Sequence, residues 1–323
     1  MKLSLSILLI IGIFLLTSPS MLTESQIVLK QVAILMVDEG REEKWAGFHQ
    51  ALTEYGWVEG ENVQYTIYRL SQTEQVELAS TAMQIVESTP DLIVTMGGIE
   101  TLAIREVNET IPTVFIGVAA PQEWGLVKPL DAIITGVSNG QYELLGKRLE
   151  LTARLYPNLD EVWVIVDPLA PPSKVHLAKV QEEGRKLNLH LVIKEVRQFS
   201  DLQQLTANLP SGRQIALFPL PSYLLEENLV KLMPQWIKHH LFVMGANPKQ
   251  VEAGLFAAYG SSFYDQGFQA ARLAAKILHG QEVSQIPWEL PDQVQYVGNI
   301  TSLRSIGKEL DEQERLWFDG VVR

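Results

Sequence analysis

Residues 32–38 read Val32-Ala33-Ile34-Leu35-Met36-Val37-Asp38, six apolar positions without a break and then an acid. A run this short and continuous predicts a strand buried on both faces, which is the habit of parallel sheets sandwiched between helices. Working outward, the spacing turns helical from about Glu42 to Tyr55, and Gly56 stands where a C-cap glycine belongs. Val63 to Tyr68 alternates like a second strand, and Val76, Ala79, Met83 and Val86 mark one face of a helix that must stop before Pro90. Leu92 to Met96 and Thr113 to Val118 supply two more apolar runs. Strands alternating with helices in this way define βαβ units.

The same grammar restarts near residue 140. Leu144, Leu145, Leu149 and Leu155 share a helix face, Val162 to Val166 is a strand, and Leu177, Val180, Gly184 and Leu187 mark the next helix. Strands follow at 189–196, 215–218 and 241–244, then Leu255 to Tyr259, a long helical stripe from Tyr264 to Leu278, and a last short helix near Leu303 to Leu310. Two comparable α/β blocks in 323 residues predict two lobes. No low-complexity tether separates them, so strands are expected to join the lobes.

Composition narrows the chemistry. The formal charge is −12, which repels a polyphosphate backbone and sets nucleic acid aside. With no Cys, disulfides, thiolate metal sites and Cys nucleophiles are excluded. Leu3 to Leu16 is apolar except for Ser4 and Ser6. As a helix it would reach roughly 21 Å, short of a ~30 Å bilayer core. With Ser18-Pro19-Ser20 behind it, the segment reads as a signal peptide over 1–20, an uncleaved anchor being the other reading. A lipoprotein is excluded, since acylation needs Cys.

In open parallel sheets, ligands sit beyond the carboxyl ends of the strands. That rule selects Asp38, Glu39, Gly97, Gly98, Ile99, Ala119, Ala120, Asp167, Ser173, Pro219, Ser222, Tyr223, Ala246, Asn247 and, before the long helix, Ser262. At Gly97-Gly98 two readings stand: glycines that let an anionic group approach a helix N-terminus, or a turn chosen for its backbone angles. Trp45, Trp57 and Trp124 read first as core, with ligand stacking as the other reading.

Gly136-Val137-Ser138-Asn139-Gly140 matches the nucleophile-elbow pattern G-x-S-x-G between a strand and a helix, so a serine hydrolase using Ser138 is carried as an alternative. No Walker A or G-x-G-x-x-G pattern follows a strand, and His239-His240 are adjacent, the wrong spacing for metal chelation on a helix. Glu42-Glu43 and Glu226-Glu227 read as solvated helix faces. No cofactor or metal is expected.

Several stretches, taken in order, resemble a known family. They are Gly56-Trp57-Val58-Glu59-Gly60-Glu61-Asn62-Val63, Pro90-Asp91-Leu92-Ile93-Val94, Ile111-Pro112-Thr113-Val114-Phe115, Gly125-Leu126-Val127, Thr135-Gly136-Val137-Ser138, and Tyr264-Asp265-Gln266-Gly267 through Gly280. Over about residues 31–310 the chain resembles the substrate-binding proteins of bacterial ABC importers, grouped with tryptophan and tyrosine binders. The resemblance implies a type I periplasmic-binding-protein fold: α/β, two Rossmann-like lobes with mostly parallel sheets, joined by three crossings and closing on a ligand. It makes Gly136 to Ser138 the first crossing.

On this basis lobe I is expected over 27–137 plus 260–290, lobe II over 138–259 plus 291–314, and a tail over 315–323. The expected role is an extracytoplasmic, monomeric protein that captures an amino acid or related small polar or aromatic solute for an ABC permease in the inner membrane. The alternative is a receptor of the same fold feeding a sensor kinase. The chain departs from the family at Ala119-Ala120-Pro121, Asp167-Pro168-Leu169, Ala246-Asn247 and Ser262-Phe263, where cleft acids or an Asn are common. An amine desolvated without a counter-charge is costly, so this reading leaves a zwitterionic amino acid in doubt, with Asp38, Glu39 and Asp167 as remaining acids.

Overall fold

The structure, a computed structural model, describes residues 29–37, 39–70, 75–128, 131–210 and 212–322. The expected export segment 1–20 and Asp38 lie outside the described residues. The first lobe runs β1 (Lys30–Val37), α1 (Glu42–Glu54), β2 (Val63–Leu70), α2 (Gln75–Glu87), β3 (Leu92–Thr95), α3 (Gly98–Val107), β4 (Thr113–Val118) and β5 (Ile134–Ser138). Its strands form one sheet ordered β2-β1-β3-β4-β5, all parallel.

Successive residues of β1 go to opposite sides, as the period of a strand requires. Val32, Ile34 and Met36 join one core, whereas Ala33, Leu35 and Val37 join another on the other face. This two-sided burial is why the opening run lacks a polar position. The helix over 75–87 buries Leu78, Ala82 and Ile85 and leaves Met83 48% exposed, so the expected stripe through Met83 is displaced around the helix.

The second lobe contains α4 (Leu145–Leu155), β6 (Glu161–Val166), α5 (Ser173–Lys186), β7 (Leu191–Glu195), α6 (Phe199–Ala207), β8 (Ile215–Pro219), α7 (Tyr223–Asn228), α8 (Met233–Lys238), β9 (Phe242–Gly245), α9 (Pro248–Glu252) and β10 (Ala257–Gly260). The chain then returns to the first lobe through α10 (Phe263–Leu278). A third passage leads to β11 (Gln295–Asn299), α11 (Ile300–Ser305), α12 (Glu312–Arg315) and β12 (Gly320–Val322). The second sheet is ordered β12-β11-β10-β9-β8-β6-β7, with β11 antiparallel to β10. Residues 320–322, expected within a tail, pair with β11 as its edge strand.

Helix α10 completes the first lobe by packing against α1, and glycines set the closeness of that contact. A Cβ on Gly47 would lie 2.1 Å from the Tyr264 carbonyl oxygen, and one on Gly267 would lie 1.9 Å from that of Lys44. Ala270, Ala271 and Ala274 then reach the same core as Val32, Ile34 and Met36.

The three crossings are bound to one another. Ser138 N–H donates to the Glu289 carbonyl at 2.8 Å, and Glu289 N–H donates to that of Gly136 at 2.9 Å. Ser261 Oγ donates to the Asn139 carbonyl at 3.2 Å. From α10, Gln269 and Arg272 hold the Glu289 carboxylate at 2.9 and 2.6 Å. The crossings therefore form one compact strap between the two lobes.

Candidate functional site

Between the lobes lies a cleft of about 960 Å³, at the upper end of the range for small-molecule sites. Its walls are the loops beyond β1, β3, β4, β6, β8 and β9, the carboxyl ends that parallel sheets present to ligands. Of the residues selected from sequence, Gly98, Ile99, Ala119, Asp167, Pro219, Ser222, Tyr223, Ala246 and Asn247 line it.

Glu39 opens the single turn Glu39–Arg41, whose Arg41 lines the cleft. Four described positions are placed elsewhere in the loops. Gly97 is the N-cap of α3 and faces Glu100 and Arg41, which a Cβ there would meet at 2.6 and 3.0 Å. Ala120 is fully buried, with a left-handed φ of 45° that turns the chain into the 121–127 loop. Ser173 is buried at the start of α5. Ser262 spends its hydroxyl capping α10, accepting from Asp265 N–H at 3.0 Å.

Two of the lining residues also serve the frame. Asp167 accepts Leu169 N–H at 3.0 Å, holding the 167–172 turn. Asn247 caps α9 by accepting Lys249 N–H at 2.8 Å, while its amide donates to the Ser261 carbonyl at 3.1 Å. Asn247 thus ties the second lobe to the middle crossing.

The residue most clearly missed by sequence reading is Arg41. It is buried at the cleft, with its Nε 3.3 Å from Glu100 in the first lobe and its Nη1 3.2 Å from Glu226 in the second. The Tyr223 ring centroid is 5.6 Å from the same guanidinium. Glu226-Glu227, expected as a solvated face, instead brings a carboxylate across the interlobe gap, and Glu43 likewise pairs with Lys249 of the second lobe. No local pattern announces such pairs, because their members are 185 and 206 residues apart.

Charge in the cleft follows. Glu106, Asp167, Glu226 and Glu227 line it, and Arg41 is the one lining cation among the described residues. The expectation of an acid-poor cleft is corrected: the acids come from helices α3 and α7 as well as from the strand-end loops. Ile99, Leu102, Trp124, Leu169, Pro172 and Phe263 provide apolar wall. Trp124 lies against Gly98, where a Cβ would meet the indole at 2.4 Å, so the glycine makes room for a ring.

Ser138 is not presented as an elbow nucleophile. An elbow presents an exposed hydroxyl, whereas Ser138 is fully buried, and its Oγ accepts Gly140 N–H at 3.0 Å inside the first crossing.

Two α/β lobes, three crossings and one shared cleft define a two-lobed solute-binding protein of the type I periplasmic-binding-protein fold. The sequence profile of ABC transporter substrate-binding proteins matches residues 31–316, and the chain belongs to that family. It is 25% identical over 265 residues to a tyrosine-binding protein of Clostridioides difficile, covering 80% of this chain and 75% of that one. Among solved structures, a conserved domain protein from Vibrio cholerae superposes with a TM-score of 0.84 at 22% identity, covering 91% of this chain and all of that one. A Streptococcus pneumoniae ABC domain in complex with L-Trp gives 0.81 at 17% identity over 91% of this chain and all of that one. A ligand-free, open substrate-binding protein with adhesive properties from Clostridium difficile gives 0.71 at 23% identity, over 92% and 99%.

Proposed function

We propose that this protein works outside the cytoplasm, exported by residues 1–20, and captures an aromatic amino acid or a related aromatic amine for an ABC permease. The observation that carries this reading is the cleft lining: apolar and aromatic side chains around a space of about 960 Å³, with Glu106 and Asp167 on the walls beside the Arg41–Glu226 ion pair. Apolar wall buries a ring, and carboxylates on the wall favour an ammonium. The tyrosine- and tryptophan-binding relatives support the same solute class. The helix N-terminus at Gly98 and Ile99, whose first-turn N–H groups have no intrahelical partners, offers a place for a ligand carboxylate.

Capture proceeds by closure. The strap at the crossings permits hinge motion, and a solute touching both walls stabilises the closed arrangement. The mature protein is monomeric and delivers the closed complex to the permease.

The test is a thermal-shift screen with the purified mature chain. Aromatic amino acids and aromatic amines should raise Tm, with calorimetry giving a one-to-one complex. Stabilisation by sugars alone, with no response to any amine-bearing solute, would overturn the reading.

A further inference from the structure

Behind the second-lobe wall, a buried guanidinium and a buried neutral imidazole lie within electrostatic reach of each other. Arg148, in the first turns of α4, is 1% exposed, and His176, in the first turns of α5, is 0% exposed. Arg148 Nε and Nη2 are buried with no hydrogen-bond partner, and so are both ring nitrogens of His176. Nε and Nη2 form one edge of a guanidinium, the edge that grips a carboxylate with two parallel N–H bonds. Among the described residues, no carboxylate pairs with Arg148.

The surroundings add positive potential. Each residue stands in the first turns of its helix, α4 or α5, where the helix dipole is positive. The Phe218 ring lies 5.2 Å from the guanidinium, and the Tyr142 ring packs edge-on to His176 at 5.5 Å. Lys179 stands 4.2 Å over that Tyr142 ring. Glu143, next to Tyr142 in the chain, leaves its buried Oε2 without a partner and is not paired with Arg148. A guanidinium desolvated and unpaired is strongly unfavourable, so the arrangement lacks a counter-charge.

We propose that a small anion, a halide or a carboxylate group, binds between the Arg148 fork and the His176 imidazole. The neighbours of both residues belong to the cleft wall: Phe218 adjoins the lining residue Pro219, and His176 N–H donates to the carbonyl of lining Pro172 at 3.1 Å. The anion therefore comes either from free solution or from the acidic end of the cleft's own solute. The second source rests on the proposed function; the first does not.

The experiment compares Tm of the purified mature chain in chloride, acetate and gluconate at matched ionic strength, gluconate serving as the bulky reference anion. Chloride or acetate should raise Tm by roughly 5 °C at a concentration 100 times its dissociation constant. The Arg148→Met variant, which removes the uncompensated charge and so should fold, should lose that response. A bromide-soaked crystal of the unaltered chain should show anomalous density between the two side chains. Equal Tm in all three salts, the same response in Arg148→Met, or destabilisation by Glu143→Gln in a salt-insensitive chain would each overturn the proposal. Sources are separated by calorimetry with L-tyrosine. If its carboxylate uses the fork, chloride competes and Arg148→Met weakens binding at least 10-fold. If the anion is free, both leave affinity unchanged while the chloride effect on Tm persists.

Discussion

Glu226 of the second lobe reaches 3.2 Å from the guanidinium of Arg41 in the first, so one ion pair spans the cleft that a solute must enter. The Arg41 side chain is only 4% exposed, and Glu100 holds its other edge. Screening is weak at such burial, and the pair favours the closed arrangement. Glu226→Gln keeps the shape and leaves Arg41 paired with Glu100. We expect about a tenfold loss of solute affinity, roughly 1.4 kcal/mol, appearing in the dissociation rate measured by stopped-flow. An unchanged rate would mean that the pair does not contribute to closure.

Gly98→Ala separates stability from binding. Alanine is a better helix former than glycine, so α3 should not suffer. The new methyl, however, would sit 2.4 Å from the Trp124 ring and must displace it. Affinity for an aromatic solute should fall several-fold by calorimetry while Tm stays within about 2 °C.

Gly267→Ala tests the α1–α10 contact. A Cβ 1.9 Å from the Lys44 carbonyl oxygen forces the helices apart over a full core. The expected loss is about 1–3 kcal/mol in urea unfolding, with the first lobe affected and the second spared.

Acid should weaken the second lobe. Burial pushes His176 from 6.5 down to about 4, with Arg148 and Lys179 adding repulsion. The Pro172 carbonyl pulls the other way. Because the unfolded chain binds this proton more readily, the contribution is complete above pH 6.5 and is lost as pH falls toward 4. Its size is about 3 kcal/mol. Urea unfolding in gluconate buffer across that range should show the slope, and His176→Gln should flatten it.

Much of the frame could be read from sequence because each strand declares itself locally. The run from Val32 to Val37 is buried on both faces, and Gly56 with φ 88° ends α1 where expected. The stripe on α2 is ambiguous in sequence because both faces of that helix carry apolar residues, and only the packing of Leu78, Ala82 and Ile85 decides between them. The strand-end rule located the cleft, since Gly98, Asp167, Pro219 and Ala246 lie at its walls. It could not separate wall from frame within a loop: Gly97 and Gly98 are neighbours, yet one faces Glu100 and the other Trp124. Arg41 and Glu226 were illegible because pairing across a hinge depends on how two lobes meet, not on spacing along the chain.

The return of α10 to the first lobe sets an order of events during synthesis. Residues 263–278 cover the apolar side of β1, β3 and β4, yet they follow the whole run from α4 to β10. The core around Trp163, Leu217 and Phe242 can begin to consolidate while Ile34, Met36 and Val94 still await their cover. A nascent or translocating chain therefore presents the first half as the sticky, unfinished part. A holding chaperone would be drawn to the segment made first.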